Sequence, residues 1–121
     1  MDQVLALRPF VPARDFELSK RFYNALGFET THEDGEIAIL KIESFSFILQ
    51  KYYVKEFAEN CMLQLMVRDV TAWWRRVEPA DLVATFAVKP PRPPAKQPWG
   101  LTVGFLFDPS SVLWHIAEVN F

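Results

Sequence analysis

The sequence predicts an α+β fold built from two copies of a βαβββ unit. Two observations carry this prediction. A helix-like run follows Arg14-Asp15 and ends at Gly27, and a second helix-like run follows Arg68-Asp69. Each run has a strand-like segment before it and several strand-like segments after it. Because an internal duplication constrains a fold more tightly than any single residue, we expect two modules that form a curved mixed sheet around a cleft.

Length and composition exclude several classes of protein. The 121 residues suffice for one domain over residues 1–121, with module 1 at about 1–53 and module 2 at about 61–121. An apolar content of 50% excludes disorder. No apolar run approaches the roughly 20 residues of a membrane helix, and the first residues lack the basic start of a signal peptide. We therefore expect a cytoplasmic protein without a membrane partner.

Charge and cysteine content exclude two further classes. The net charge is −2 and no basic stripe is present, so nucleic acid is not an expected partner. Cys61 is the only cysteine, which rules out an internal disulfide and a cysteine-rich metal site.

The first module begins with a predicted strand from Val4 to Val11. Pro9 and Pro12 remove backbone donors from it, so this strand lies at a sheet edge or leaves the sheet. Asp15 is a suitable N-cap for the first helix, and Gly27 a suitable left-handed end. Asp34-Gly35 predicts a hairpin turn. The other strands of this module are predicted at Phe28–Glu33, Glu36–Ile42 and Ser44–Tyr53.

The second module follows a polar connector, Val54–Asn60. Asp69 caps a helix from Val70 to Val77, which Pro79 ends. The proline-rich run Lys89–Pro98 predicts a stiff, extended surface segment that serves as a spacer or as a rim over a cleft. Strands are predicted at Cys61–Arg68, Leu82–Val88, Leu101–Phe107 and Val112–Val119, with an Asp108-capped turn before the last.

Trp99 is the strongest candidate for a ligand contact. It lies between Pro98 and Gly100, outside any regular element, whereas core tryptophans usually lie inside one. Stacking a flat ring on it would contribute about 0.5–1.5 kcal/mol beyond burial. Alternatively, Trp99 covers a seam between two subunits. Alternate members of a neighbouring aromatic group must face the cleft, with Phe47 taken as a candidate contact: Phe45, Phe47, Tyr52 and Tyr53.

The run Phe22–Phe28, FYNALGF, resembles a segment of the vicinal oxygen chelate superfamily. That superfamily includes glyoxalase I, ring-cleaving dioxygenases, fosfomycin-resistance enzymes and bleomycin-resistance proteins. Asp108-Pro109 followed by Trp114–Glu118 resembles its closing hairpin. Within the superfamily the chain is most similar to bleomycin-resistance proteins, because Pro9 and the run Gln97–Gly100, QPWG, stand where that group has them.

The resemblance implies a non-enzymatic homodimer that binds a small molecule. It implies two equal clefts between the subunits, with the first strand exchanged at Pro9. Trp99 would stack on a flat aromatic or cationic, antibiotic-like ligand, and His115 with Gln64 or Gln50 would offer polar contacts. The drug-binding relatives carry a tryptophan where this chain has Gln64, and they are strongly acidic. A flat aromatic ligand is therefore expected, and bleomycin itself is not.

The enzymes of the superfamily bind a divalent cation through about three or four His, Glu or Gln ligands. The corresponding positions here offer Arg8 and either Met62 or Leu63, which are not ligands for a hard cation. Gln50 and His115 remain as weak candidates. We therefore expect no metal, no cofactor and no catalytic residue. The alternative is a metal-dependent enzyme of the glyoxalase or dioxygenase type in which these two residues persist from a metal site.

His115 has two interpretations, and its strand neighbour has one. The alternation of side chains along the last strand sends His115 to one face and Trp114 to the other. His115 is either a ligand contact or a half-buried histidine satisfied by a neighbour. Trp114 is expected to face the helices.

Overall fold

The computed structural model describes residues 3–119, which form two four-stranded sheets. Each sheet comes from one half of the chain, in the order β1-β4-β3-β2 for the first sheet and β5-β8-β7-β6 for the second. The first strand of each half pairs in parallel with the fourth, and the other pairs are antiparallel. Because both halves share one topology, the predicted α+β duplication is confirmed, with two sheets in place of one continuous sheet.

The regular elements have the following bounds. The strands are β1 (Phe10–Pro12), β2 (Glu29–Glu33), β3 (Ile37–Ile42), β4 (Phe45–Gln50), β5 (Met62–Val67), β6 (Arg92–Lys96), β7 (Thr102–Phe107) and β8 (Leu113–Glu118). The helices are α1 (Phe16–Ala25), α2 (Lys55–Glu59), α3 (Val70–Trp74), α4 (Val77–Ala80) and α5 (Leu82–Phe86). Within residues 3–119, no helix is long and apolar enough to cross a membrane.

The predicted helix starts are confirmed by their capping bonds. The Asp15 carboxylate accepts a hydrogen bond from Leu18 N at 3.0 Å, and Asp69 accepts one from Ala72 N at 3.0 Å. Each bond satisfies a backbone donor that the first helical turn leaves without a partner. After α1 the chain turns through Gly27, whose φ of 98° is a left-handed conformation that glycine adopts without strain.

The predicted strand Leu82–Val88 is wrong, because this segment contains helix α5. Leu82 and Phe86 stand four residues apart and are both buried, so a helix places both on one face. The strand of this module lies instead in the proline-rich run, as β6 at the edge of the second sheet. Proline is tolerated there because its fixed φ suits an extended edge strand, and the β6–β7 pairing is irregular between Arg92 and Ala95, where Pro93 and Pro94 lie.

The first strand is shorter than predicted. Residues 3–9 lie outside the sheet as an extended N-terminal arm, and β1 begins only at Phe10. Two hydrogen bonds tie the end of the arm to β4: the carbonyl of Pro9 accepts from Ile48 N at 2.9 Å, and the guanidinium of Arg8 donates to Ser46 Oγ at 2.9 Å. Leu5 and Leu7 in this arm are each 93% exposed.

The two halves pack against each other through the inner, helix-bearing faces of their sheets. The ring of Phe47 in β4 lies 5.3 Å from the ring of Trp114 in β8, and Phe22 in α1 lies 5.6 Å from Phe86 in α5. All four side chains belong to one buried cluster. Since the inner faces meet, the outer faces of the two sheets point away from each other.

A buried hydrogen-bond network crosses this inter-module core. The hydroxyl of Tyr23, on α1, donates to Asp108 Oδ2 at 2.6 Å. Trp114 Nε1 donates to the same hydroxyl oxygen at 2.9 Å. The Tyr23 side chain is therefore satisfied both as donor and as acceptor, and it joins the first helix to the last two strands.

Asp108 also organises the turn between β7 and β8. Its Oδ1 accepts from Ser110 N at 2.8 Å and from Val112 N at 2.9 Å, as its sequence position predicted. Ser110 Oγ in turn accepts from Arg14 N at 2.9 Å, which adds a second link between the modules. Asp108 is 1% exposed. Burial raises the pKa of its carboxyl from 3.8 to about 6, against the lowering effect of the Tyr23, Val112 and Ser110 bonds.

Asp108→Asn should therefore change how stability depends on pH. A pKa raised in the folded state stabilises the fold below the unfolded value of 3.8, and this contribution is lost as pH rises through about 6. Asparagine does not titrate, so the stability of the wild type relative to the variant should fall by about 2–3 kcal/mol between roughly pH 4 and pH 7. Denaturant unfolding followed by fluorescence measures both curves.

Asp34→Asn provides a control of opposite sign. Backbone bonds from Glu36 and Ile37 lower the pKa of the exposed Asp34 carboxyl, so its contribution is lost as pH falls. Parallel pH profiles for the wild type and Asp108→Asn would contradict the assigned role of the buried carboxylate.

Candidate functional site

The outer face of the second sheet carries polar side chains on an apolar surface. Side chains alternate along β8, so Trp114 and Ile116 point into the core while Leu113 and His115 lie on the outer face. This is the division that the sequence predicted for His115 and Trp114.

One row of side chains crosses all four strands of this face. Gln64 in β5 is paired in register with His115 in β8, which is paired with Phe105 in β7. Phe105 is in turn paired with Arg92 in β6. Registered partners lie on the same face of a sheet, so the order across the sheet is amide, imidazole, phenyl and guanidinium. We call these four residues the central row.

The two middle residues of the central row pack ring against ring. The rings of Phe105 and His115 lie 4.8 Å apart at an interplanar angle of 77°, an edge-to-face contact. On one side of the row lie Met62, Leu113 and Phe107, which are also paired across the strands. Met62 is 65% exposed, so this apolar surface is open in the single chain.

Trp99 lies at the tip of the hairpin between β6 and β7. Gln97 N donates to Leu101 O at 2.8 Å, and Gly100 N donates to Gln97 O at 2.9 Å, which closes a tight turn around the indole. Gly100 has a φ of 105°, which a residue with a side chain would adopt only with strain. Trp99 is 58% exposed and is therefore available to a ligand or to another chain.

Gln50 does not join the central row. It is the last residue of β4 and is paired with Ile37 in β3. It alternates with Leu49, which points into the core, so Gln50 lies on the outer face of the first sheet. Because the outer faces of the two sheets point apart, one chain does not bring Gln50 and His115 into a common site.

Phe47 lies on the inner face of its sheet, opposite to the outer face, and lines a cavity of about 170 Å³ together with Pro9 and Gln64. It is 3% exposed, and its ring packs against Tyr23, Phe28 and Trp114 in the core. The alternation along β4 sends it inward together with Leu49. Phe45, at the start of the same strand, is 70% exposed.

The donor set does not fit the divalent cation that glyoxalase-type enzymes hold. Within residues 3–119, no group of three or more His, Cys, Asp and Glu side chains could hold a metal ion. The guanidinium of Arg8 donates to Ser46 Oγ at 2.9 Å. The neighbours of His115 in its row are an amide and a phenyl ring, so the row offers one imidazole and one amide oxygen, fewer than the three or four ligands of such a site.

Phe105 and Arg92 are candidate site residues that the sequence did not single out. Phe105 shares its face with His115 because of the β7–β8 register, and a register between strands cannot be deduced from the sequence. Arg92 lies inside the proline-rich run, which the sequence predicted to be either a spacer or a rim over a cleft. The alternation of Val103, Phe105 and Phe107 was the available signal for an apolar face on β7.

Sequence comparisons give no match to a protein-family model, and no curated protein matches. Solved structures do match. A bleomycin-binding protein in complex with bleomycin shares 24% identity at a TM-score of 0.80, over 99% of this chain and 100% of that one. The bleomycin-binding protein of bleomycin-producing Streptomyces verticillus, in complex with copper(II)-bleomycin, shares 21% identity at a TM-score of 0.80, with the same coverage.

An enzyme with this fold is also similar. Lactoylglutathione lyase from Agrobacterium tumefaciens shares 15% identity at a TM-score of 0.65, over 96% of this chain and 95% of that one. At such identities the likeness concerns the fold. The chain therefore has the vicinal oxygen chelate fold, the fold of bleomycin-binding proteins and of glyoxalase-type enzymes.

Proposed function

We propose that this chain is a non-enzymatic binding protein that sequesters a flat aromatic, antibiotic-like small molecule. The ligand would lie on the outer face of the second sheet, in a cleft completed by a second copy of the chain. The observation that supports this most directly is the exposed Trp99 indole at the tip of a hairpin of this sheet, whose outer face is apolar except for Gln64, His115 and Arg92. Ligand sites commonly combine aromatic walls with a few placed polar groups.

The central row offers contacts of both kinds. Phe105 presents an aromatic ring in the middle of the face, and Trp99 presents a second one from the hairpin tip. His115 and Gln64 lie side by side and supply hydrogen-bonding groups that fix orientation without covalent chemistry. The solved complexes of bleomycin-binding proteins support ligand binding on this fold.

The arrangement favours binding over catalysis. His115 has Gln64 and Phe105 as its row neighbours, so it lacks the carboxylate partner that orients a catalytic base. The nearest buried carboxylate of the last hairpin, Asp108, is bound to Tyr23 on the inner side. The metal site on which glyoxalase-type chemistry depends does not fit the residues present.

A second copy of the chain would complete the cleft. Each chain exposes an outer face on both sheets, and these faces point apart, so an opposing wall must come from another molecule. The N-terminal arm supports this proposal, since exposed leucines in an extended segment find burial only against another surface. Arg8 binds Ser46 of the first sheet, and a groove of about 610 Å³ between the arm and that sheet is lined by Leu5, Arg8, Ile39 and Phe45 among others. We propose that Pro9 is the point at which the arm is exchanged.

Trp99→Ala should weaken binding of a flat aromatic probe by about five- to tenfold, since the change removes the stacking surface and its burial. Trp99→Phe, which keeps a flat ring, should retain most of the affinity. Isothermal titration calorimetry with a naphthalene-ring probe measures both.

The matched control is Trp74→Phe. Trp74 packs on the opposite, inner side of the second sheet, where its ring would lie 2.4 Å from a Cβ placed on Gly104. Its replacement should leave affinity unchanged. Equal affinity of wild type and Trp99→Ala would remove the support for Trp99 as the stacking plate.

The combined change Leu5→Asp and Leu7→Asp should convert a dimer to a monomer. Charges in the arm would make its burial against a second copy costly. Light scattering should give about twice the 14.1 kDa chain mass for the wild type and about that mass for the variant. A wild-type chain that is already monomeric at high concentration would disprove the shared cleft. Val83→Asp, at an exposed residue of α5, is the control and should stay dimeric.

A further inference from the structure

The outer face of the second sheet has an uneven charge. The one acidic side chain on its four strands, Glu118, points to the inner side, where Oε1 accepts from Val70 N at 3.3 Å. On the outer face lies Arg92, and Lys89 lies just before that strand. Within residues 3–119, the outer face of these four strands therefore presents the cationic Arg92 and no acidic side chain.

Arg92 is available to a ligand. It is exposed, it is paired in register with Phe105, and within residues 3–119 its guanidinium forms no ion pair. The unpaired guanidinium of Arg92, on the strand next to Phe105, matches the planar, two-oxygen geometry of a carboxylate or sulfonate attached to a flat ring.

Lys89 strengthens the same end of the face. Its Nζ lies 5.3 Å from the ring centre of Phe107, a cation–π contact that holds the ammonium over the outer surface. Phe107 and Phe105 alternate along β7 and share that surface. Two cations thus flank the two phenyl rings on which a ligand ring would lie.

We propose that the central row selects an aromatic anion. Arg92 would bind the carboxylate or sulfonate of this ligand and Phe105 would contact its ring. His115 and Gln64 would bind polar substituents at the other end of the ligand. This inference rests on the proposed function and names the ligand class for the same site. A cationic ligand would meet Arg92 and Lys89 with no carboxylate on the face to offset them, so like-charge repulsion opposes it.

Three probes that share one ring test the selection: naphthalene-2-carboxylate, the neutral naphthalene-2-carboxamide and the cationic 2-naphthylmethylammonium. Titration calorimetry at low ionic strength should show the carboxylate binding about tenfold more tightly than the amide, and the ammonium more weakly than the amide. Arg92→Gln should remove the preference by lowering affinity for the carboxylate about tenfold while leaving that for the amide unchanged.

Arg75→Gln is the matched control, because Arg75 is an exposed arginine at the end of α3 on the inner side of the sheet. It should leave the preference intact. Tighter binding of the ammonium, or an equal loss of carboxylate and amide affinity in Arg92→Gln, would overturn the inference and leave the proposed function standing. If none of the three probes binds, both this inference and the proposed function are wrong.

Discussion

The hydrogen bonds around the Tyr23 hydroxyl hold the architecture together. This one group joins a helix of the first half to Asp108 and Trp114 of the second half, inside a core where water cannot replace a lost partner. A satisfied polar network in such surroundings specifies one arrangement of the elements, because any other arrangement leaves a donor or an acceptor unpaired. The rings that surround it supply area without directional preference, so the network determines how the two modules are set against each other.

That choice of packing decides where a ligand can be held. Because the inner faces of the two sheets are packed together, each sheet has its outer face exposed. The polar candidate residues are divided between these two outer faces. Gln64 and His115 lie on one outer face, and Gln50 lies on the other. The same fold occurs in a lyase and in bleomycin-binding proteins, so the fold alone does not determine what the outward strands carry. Here they carry an amide, an imidazole, aromatic rings and a guanidinium.

Much of the fold was readable from residues with local mechanisms, and most of the site was not. Asp15 and Asp69 marked the helix starts because a capping bond spans only three residues. The segment Leu82–Phe86 was misread because a short apolar run fits a strand or a buried helix equally well. The sequence left the face of Phe47 open because the parity of β4 depends on tertiary packing. The link from Asp108 to Tyr23 spans 85 positions and leaves no local signal.

The proline-rich edge strand has a consequence for assembly. Strand β6 borders the second sheet, and Pro93 and Pro94 within it have no backbone N–H to offer a neighbouring chain. The two prolines therefore weaken strand-on-strand pairing at that border, which disfavours polymerisation by edge pairing there. A chain that exposes the outer faces of both sheets is thus protected at one border against fibre formation.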